Sequence, residues 1–137
     1  MNKYFLILGI FLNYLFGAFW SHEASYVLKK DQLVTIQIKP QNKKQTKRSG
    51  DFTFRWTLYD PSSQLIVMSS YQGFKKHVAL KTDYNLDSFK IYLNPDFSKP
   101  WKVGFIKVVF EKFDTKKQEA TFLVFIKDSS NIYNIKL

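Results

Sequence analysis

The sequence predicts an all-β protein: a single antiparallel β-sandwich of two sheets, immunoglobulin-like in size, behind an N-terminal signal or anchor helix. Three observations predict it. Residues 4–20 carry no charge, apolar and polar residues alternate with period 2 through most of the remaining chain, and no 3.6-residue period stands out beyond the leader. The chain divides into a leader, 1–24, and one domain, 25–137, with no room for a second.

The leader has the parts of an export signal. Lys3 forms a short charged start, and the apolar run after it is broken by Asn13 and followed by Ser21, His22 and Glu23, slightly short for a membrane-spanning helix of about 20 residues. Cleavage after Ala18 puts Phe16 at the −3 position and cleavage after Ala24 puts His22 there, so neither site is ideal. Removal is the expectation and a retained N-terminal anchor the alternative, which makes the domain periplasmic, secreted or membrane-tethered.

An exported domain of this size often leans on disulfides, but the chain has no cysteine. Core packing alone must hold it, and 14 Phe, 8 Tyr and 3 Trp suit that need. The net charge of +10 favours acidic partners. Its 19 Lys against 2 Arg, with abundant Phe, Ile, Asn and Tyr, also fit an AT-rich coding sequence, which weakens charge as a functional clue.

The strands follow in order. In 33–39, Val34, Ile36 and Ile38 share one face; in 51–60, Phe52, Phe54, Trp56 and Leu58 point one way while Thr53, Arg55, Thr57 and Tyr59 point the other. Asp60-Pro61-Ser62-Ser63 is a turn, and 64–71 returns as a hairpin partner. Gln72-Gly73 breaks the run. Short strands are expected at 77–80 and 88–93, and 102–113 and 119–128 flank a second hairpin turn at Asp114-Thr115-Lys116-Lys117. The alternation of Tyr133, Ile135 and Leu137 predicts a last strand that closes a sheet. A small barrel is the alternative architecture.

Chemistry is sparse. His77 is the histidine that survives any cleavage, and a Ser-His-carboxylate site would have to use it, yet no Gly-x-Ser-x-Gly elbow occurs. The segment 83–88 opens like a calcium loop with Asp83, Asn85 and Asp87, but Ser88 stands where Gly is needed and Asn94 where a bidentate Glu belongs. An ordinary turn is expected there. The reading is therefore a non-enzymatic binding protein without metal or cofactor.

Two surfaces could bind. One is a face containing some of Arg55, Tyr59, Tyr71, Phe74 and Trp101, where Arg55 offers a planar, bidentate fork and the aromatics offer interface anchors. The other is the loop 39–50, whose Lys39, Lys43, Lys44, Lys47 and Arg48 have no acid among them and could grip anionic lipid or glycan such as lipopolysaccharide, an acidic protein face or nucleic acid. Export disfavours nucleic acid.

The stretches FRWTLYD (54–60), SYQGF (70–74) and SFKIYL (88–93), within residues 50–128, resemble small exported proteins of Helicobacter- and Campylobacter-type bacteria, a group described as secreted and associated with flagellar motility. The resemblance implies an extracytoplasmic accessory protein with envelope or flagellar partners rather than an enzyme. It carries over no functional residue.

Overall fold

The computed structural model describes residues 20–41, 50–60, 62–83, 85–93, 104–128 and 133–137. The leader up to residue 19, Trp101 and the loop cations Lys43, Lys44, Lys47 and Arg48 lie outside them. Among the described residues the chain is all β, with nine strands: β1 (His22–Lys29), β2 (Val34–Pro40), β3 (Gly50–Asp60), β4 (Gln64–Tyr71), β5 (Phe74–Leu80), β6 (Ser88–Tyr92), β7 (Phe105–Asp114), β8 (Glu119–Lys127) and β9 (Tyr133–Lys136).

They form two antiparallel sheets, one of four strands in the order β1-β8-β7-β6 and one of five in the order β5-β4-β3-β2-β9. The two chain ends exchange sheets. Strand β1 pairs with β8, and β9 pairs with β2, so each sheet is completed by a strand from the far end of the sequence. The last strand closes a sheet as its alternation predicts. Strand β1 has no counterpart among the predicted strands, and it starts at His22, upstream of residue 25.

The alternating stripes meet between the sheets. Phe52, Phe54, Ile36, Ile38 and Val67 of one sheet and Phe110, Phe122, Val108, Val124 and Ile126 of the other are fully or almost fully buried. Each such side chain contributes about 1.5–3 kcal/mol by leaving water. Phe54 meets Phe122 edge-on across the gap at 5.4 Å, and the same ring meets Tyr26 of β1 at 6.1 Å. Two buried aromatic donors also link the layers: Trp56 Nε1 donates to the Leu28 carbonyl at 2.8 Å, and the Tyr71 hydroxyl to the Leu93 carbonyl at 2.8 Å.

Turn chemistry sets the hairpins. Asp60 Oδ1 accepts from Ser62 N at 2.9 Å, and Asp114 Oδ1 accepts from Lys116 N and Lys117 N at 2.9 and 3.0 Å, the side-chain mimicry for which Asp is favoured in turns. Gln72 and Gly73 both adopt positive φ, 51° and 79°, between the paired Tyr71 and Phe74. That is the two-residue hairpin whose twist suits the flanking strands, so the chain does more than break there. The expected turn after Asp83 is present, with Leu86 N donating to the Asp83 carbonyl and Asn85 at φ 66°.

Two bulges correct the predicted faces. In β3 the register against β4 slips between Trp56 and Leu58, leaving Thr57 as the extra residue; in β7 it slips against β8 between Phe110 and Lys112, leaving Glu111. Beyond each bulge the inward positions change from even to odd. Leu58, expected in the core, is 55% exposed, while Tyr59, expected on the outer face, turns inward and stacks on Phe113 at 3.8 Å and 9°. One bulge in each sheet re-aims both rings of this stack.

Gly104 leads into β7 at a crowded point. A Cβ there would stand 2.5 Å from the Lys127 carbonyl oxygen and 3.1 Å from Leu93 Cδ1, whereas a Cβ on Gly50 would meet Gln72 Cγ at an ordinary 3.6 Å. Gly104→Ala should therefore lower unfolding stability by about 1–3 kcal/mol in a denaturant titration. Gly50→Ala should stay within about 0.5 kcal/mol of the parent.

Candidate binding groove

Strands β5 and β6 are the edges of their sheets on the same side of the sandwich, and neither pairs further there among the described residues. Between them the layers part into a groove of about 470 Å³ with a largely apolar surface, within the range of small-molecule sites. The hairpin of β4 and β5 supplies Tyr71, Gln72, Phe74, Lys75 and Lys76; β6 supplies Lys90, Ile91 and Tyr92.

The alternation of β5 explains what is unusual here. Leu80 is buried, Val78 half-buried, and Lys76 and Phe74 continue the same inward-facing series. Phe74 is thus an aromatic at a core position, yet it is 77% exposed because β6 does not reach over it. Tyr92, across the groove, is 47% exposed. Lys76 Nζ stands 5.9 Å from the Phe89 ring centroid and Lys90 Nζ 4.5 Å from that of Phe105, so both cations are held over aromatic faces beside the opening.

Among the described residues the lining includes three lysines and no carboxylate. Such an arrangement takes an apolar body on its floor and a negative group at its rim. Tyr71 forms the inner wall, 5% exposed, its hydroxyl donating to the Leu93 carbonyl and accepting from Gln72 Nε2 at 3.3 Å. Burial, with Tyr133 adding to it, pushes the Tyr71 hydroxyl well above its ordinary value, so the phenol stays a neutral donor.

Of the nominated binding residues, the structure brings Tyr71 and Phe74 together on either side of the hairpin turn. Arg55 points outward from β3, opposite Met68 of β4, and no carboxylate pairs with it among the described residues. Tyr59 sits beyond the bulge on Phe113. These four do not share one face. Lys39, the described member of the loop series, is exposed on β2 opposite Asn134. His77 is exposed on β5, opposite Met68.

Sequence reasoning missed Lys75, Lys76, Lys90, Ile91 and Tyr92. The run Lys75-Lys76-His77 hides the alternation of β5, which the sequence pattern starts only at residue 77. Reading Gln72-Gly73 as a two-residue hairpin turn places it at Phe74. Among the described residues no group of three or more His, Cys, Asp or Glu side chains is placed to hold a metal ion. The chain matches no protein-family model, no curated protein and no solved structure.

The raised Tyr71 hydroxyl has a calculable consequence for stability. The unfolded phenol ionises near pH 10, the folded one well above it, so the stabilisation is complete below about pH 10 and is lost as pH rises beyond it. Tyr71→Phe removes the bond to Leu93 and should cost about 1–2 kcal/mol at neutral pH. In urea titrations above about pH 10 the variant should lose further stability less steeply than the parent. An identical slope would show that Tyr71 does not drive the alkaline loss.

Proposed function

We propose that this protein is an exported, non-enzymatic binding module of the cell envelope, and that the groove between the β4–β5 hairpin and β6 is where it takes its ligand. The observation that carries the reading is Phe74, an inward-facing aromatic left 77% exposed over an apolar floor, with Lys75, Lys76 and Lys90 as the charged residues that border it among the described residues. A ligand with an apolar body and an anionic group fits that chemistry. The uncharged apolar run after Lys3 supports export.

The start of the fold bears on where the leader is trimmed. Ser21 N donates to the Ile126 carbonyl at 2.8 Å, Ser21 Oγ accepts from Asp128 N at 2.9 Å, and Trp20 lies against Phe125 at a ring distance of 5.1 Å. A cut after Ala24 would discard these contacts and the first three residues of β1. Trimming after Ala18 keeps them all. The resemblance to motility-associated exported proteins extends the proposal to a flagellar partner.

Fractionation with N-terminal sequencing tests export. The expected product lies in the periplasm or medium and begins at Phe19; a cytoplasmic chain still carrying Met1 would overturn the reading. A photo-reactive residue at position 74 should give a discrete adduct in the envelope that the same residue at exposed Thr35 does not. Loss of the gene should reduce spreading in soft agar if the partner is flagellar.

A further inference from the structure

The groove is not the only place where apolar surface meets lysine. Along the four-stranded sheet the residues that alternate with the core stripe point outward, and in a two-layer sandwich these are ordinarily polar. Here they are not. The pairings set Tyr92 beside Phe105, Lys90 beside Lys107 beside Phe125, and Val109 beside Leu123. Phe105, Phe125, Val109 and Leu123 are only partly buried, and Val27, farther along the same face, is 56% exposed.

Four rings form a cluster on this face. Trp20 meets Phe105 edge-on at 5.7 Å and Phe125 at 5.1 Å, Tyr92 meets Phe105 at 6.3 Å, and Lys90 Nζ stands over Phe105 at 4.5 Å. The outward face of the five-stranded sheet is different. One of its rows runs through Thr35, Thr53, Ser70 and Lys75, and others through Arg55, Met68 and His77 and through Leu58, Ile66 and Ala79, with no Phe, Tyr or Trp in these rows. The two outer faces thus differ in aromatic content, although both belong to sheets that bury their inner faces.

We infer that the outer face of the four-stranded sheet lies against an anionic lipid bilayer, with Trp20, Tyr92, Phe105 and Phe125 at the headgroup level and Lys90, Lys107 and Lys112 on lipid phosphates. Trp and Tyr combine an apolar body with a polar edge and concentrate at membrane interfaces, and lysine stems run along apolar surface while their heads reach anionic groups. Charge complementarity favours this occupant at the cluster, where Lys90, Lys107 and Lys127 stand with Glu23 alone, while the acids Asp114 and Glu119 pair at the far end of the face beyond Lys112. The inference deepens the envelope reading and rests on it, but not on the groove having a ligand.

A chain without cysteine allows single-site labelling, which separates this contact from one made by the leader or by the loop 39–50. Ser25→Cys is exposed on the lysine-aromatic face and Thr35→Cys on the opposite one. Each is spin-labelled in the full chain as cells process it, then mixed with vesicles of one part phosphatidylglycerol to three of phosphatidylcholine, and with phosphatidylcholine alone. The label at residue 25 should become shielded from an aqueous relaxation agent with the anionic vesicles, while the label at 35 stays in water. Lys107→Glu with Lys112→Glu, neither of which lines the groove, should weaken binding by about tenfold or more without changing the melting temperature appreciably.

Other outcomes overturn the inference. Vesicle binding with both labels in water would place the contact in the leader or the basic loop. Shielding of residue 25 without lipid, rising with protein concentration, would show a second copy on the face. Absence of binding to anionic vesicles by a chain recovered from the periplasm would reject the lipid contact while leaving export intact.

Discussion

The dry aromatic seam around Phe54 is the constraint on which the rest of the structure depends. With no cysteine in the chain, nothing covalent joins the two sheets. Phe54 reaches Phe122, Tyr26 and Phe52, and Phe122 in turn reaches Phe110, so strands β1, β3, β7 and β8 share one continuous set of ring contacts. Edge-to-face and offset pairs of this kind add about 0.5–1.5 kcal/mol each beyond their burial. The indole of Trp56 and the hydroxyl of Tyr71 then fix the layers at two further points by giving their protons to carbonyls of the opposite layer.

The seam also decides where function can be sited. It fills the middle of the sandwich, so a binding surface has to be found at the margins. At one margin β5 carries its inward series past the end of the cover that β6 provides, and the core is left open as the groove at Phe74. At the other extreme the bulges at Thr57 and Glu111 turn Tyr59 and Phe113 inward, and that end is closed by a stacked pair. The same sandwich is sealed at one end and open at one side because of two inserted residues and one short strand.

Much of this was legible in the chain itself. Period-2 alternation located eight of the nine strands to within a few residues, because each has one face in the core and one in solvent. It failed for β1, where the pattern of Ala24, Tyr26 and Leu28 begins inside a stretch that reads as leader flank. It failed for the far half of β3, since a bulge inverts inside and outside without any distinctive residue: Thr57 is as common in a regular strand as in a bulge. The site was less accessible than the fold. Tyr71 and Phe74 stood out as aromatics beside a glycine turn, but Lys90 and Tyr92 belong to a strand nearly 20 residues away, and only the packing of two sheets makes them neighbours. No local pattern records which edge strands will face each other.

The exchange of strands between the chain ends has a kinetic side. His22 pairs with Ile126, about a hundred residues away, and β9 returns to β2, so neither sheet is complete until the last part of the chain exists; topologies dominated by such distant pairings fold slowly. During that interval strands as apolar as FIKVVF and TFLVFI are exposed with unsatisfied edges, the conditions for intermolecular β pairing. Lys107, Lys112 and Lys127 lie within or at the ends of these strands, and Lys75, Lys76 and Lys90 within β5 and β6, not only in loops. Like charges repeated along nascent strands act as gatekeepers against self-association. The excess of lysine thereby protects the chain before there is any fold for it to decorate.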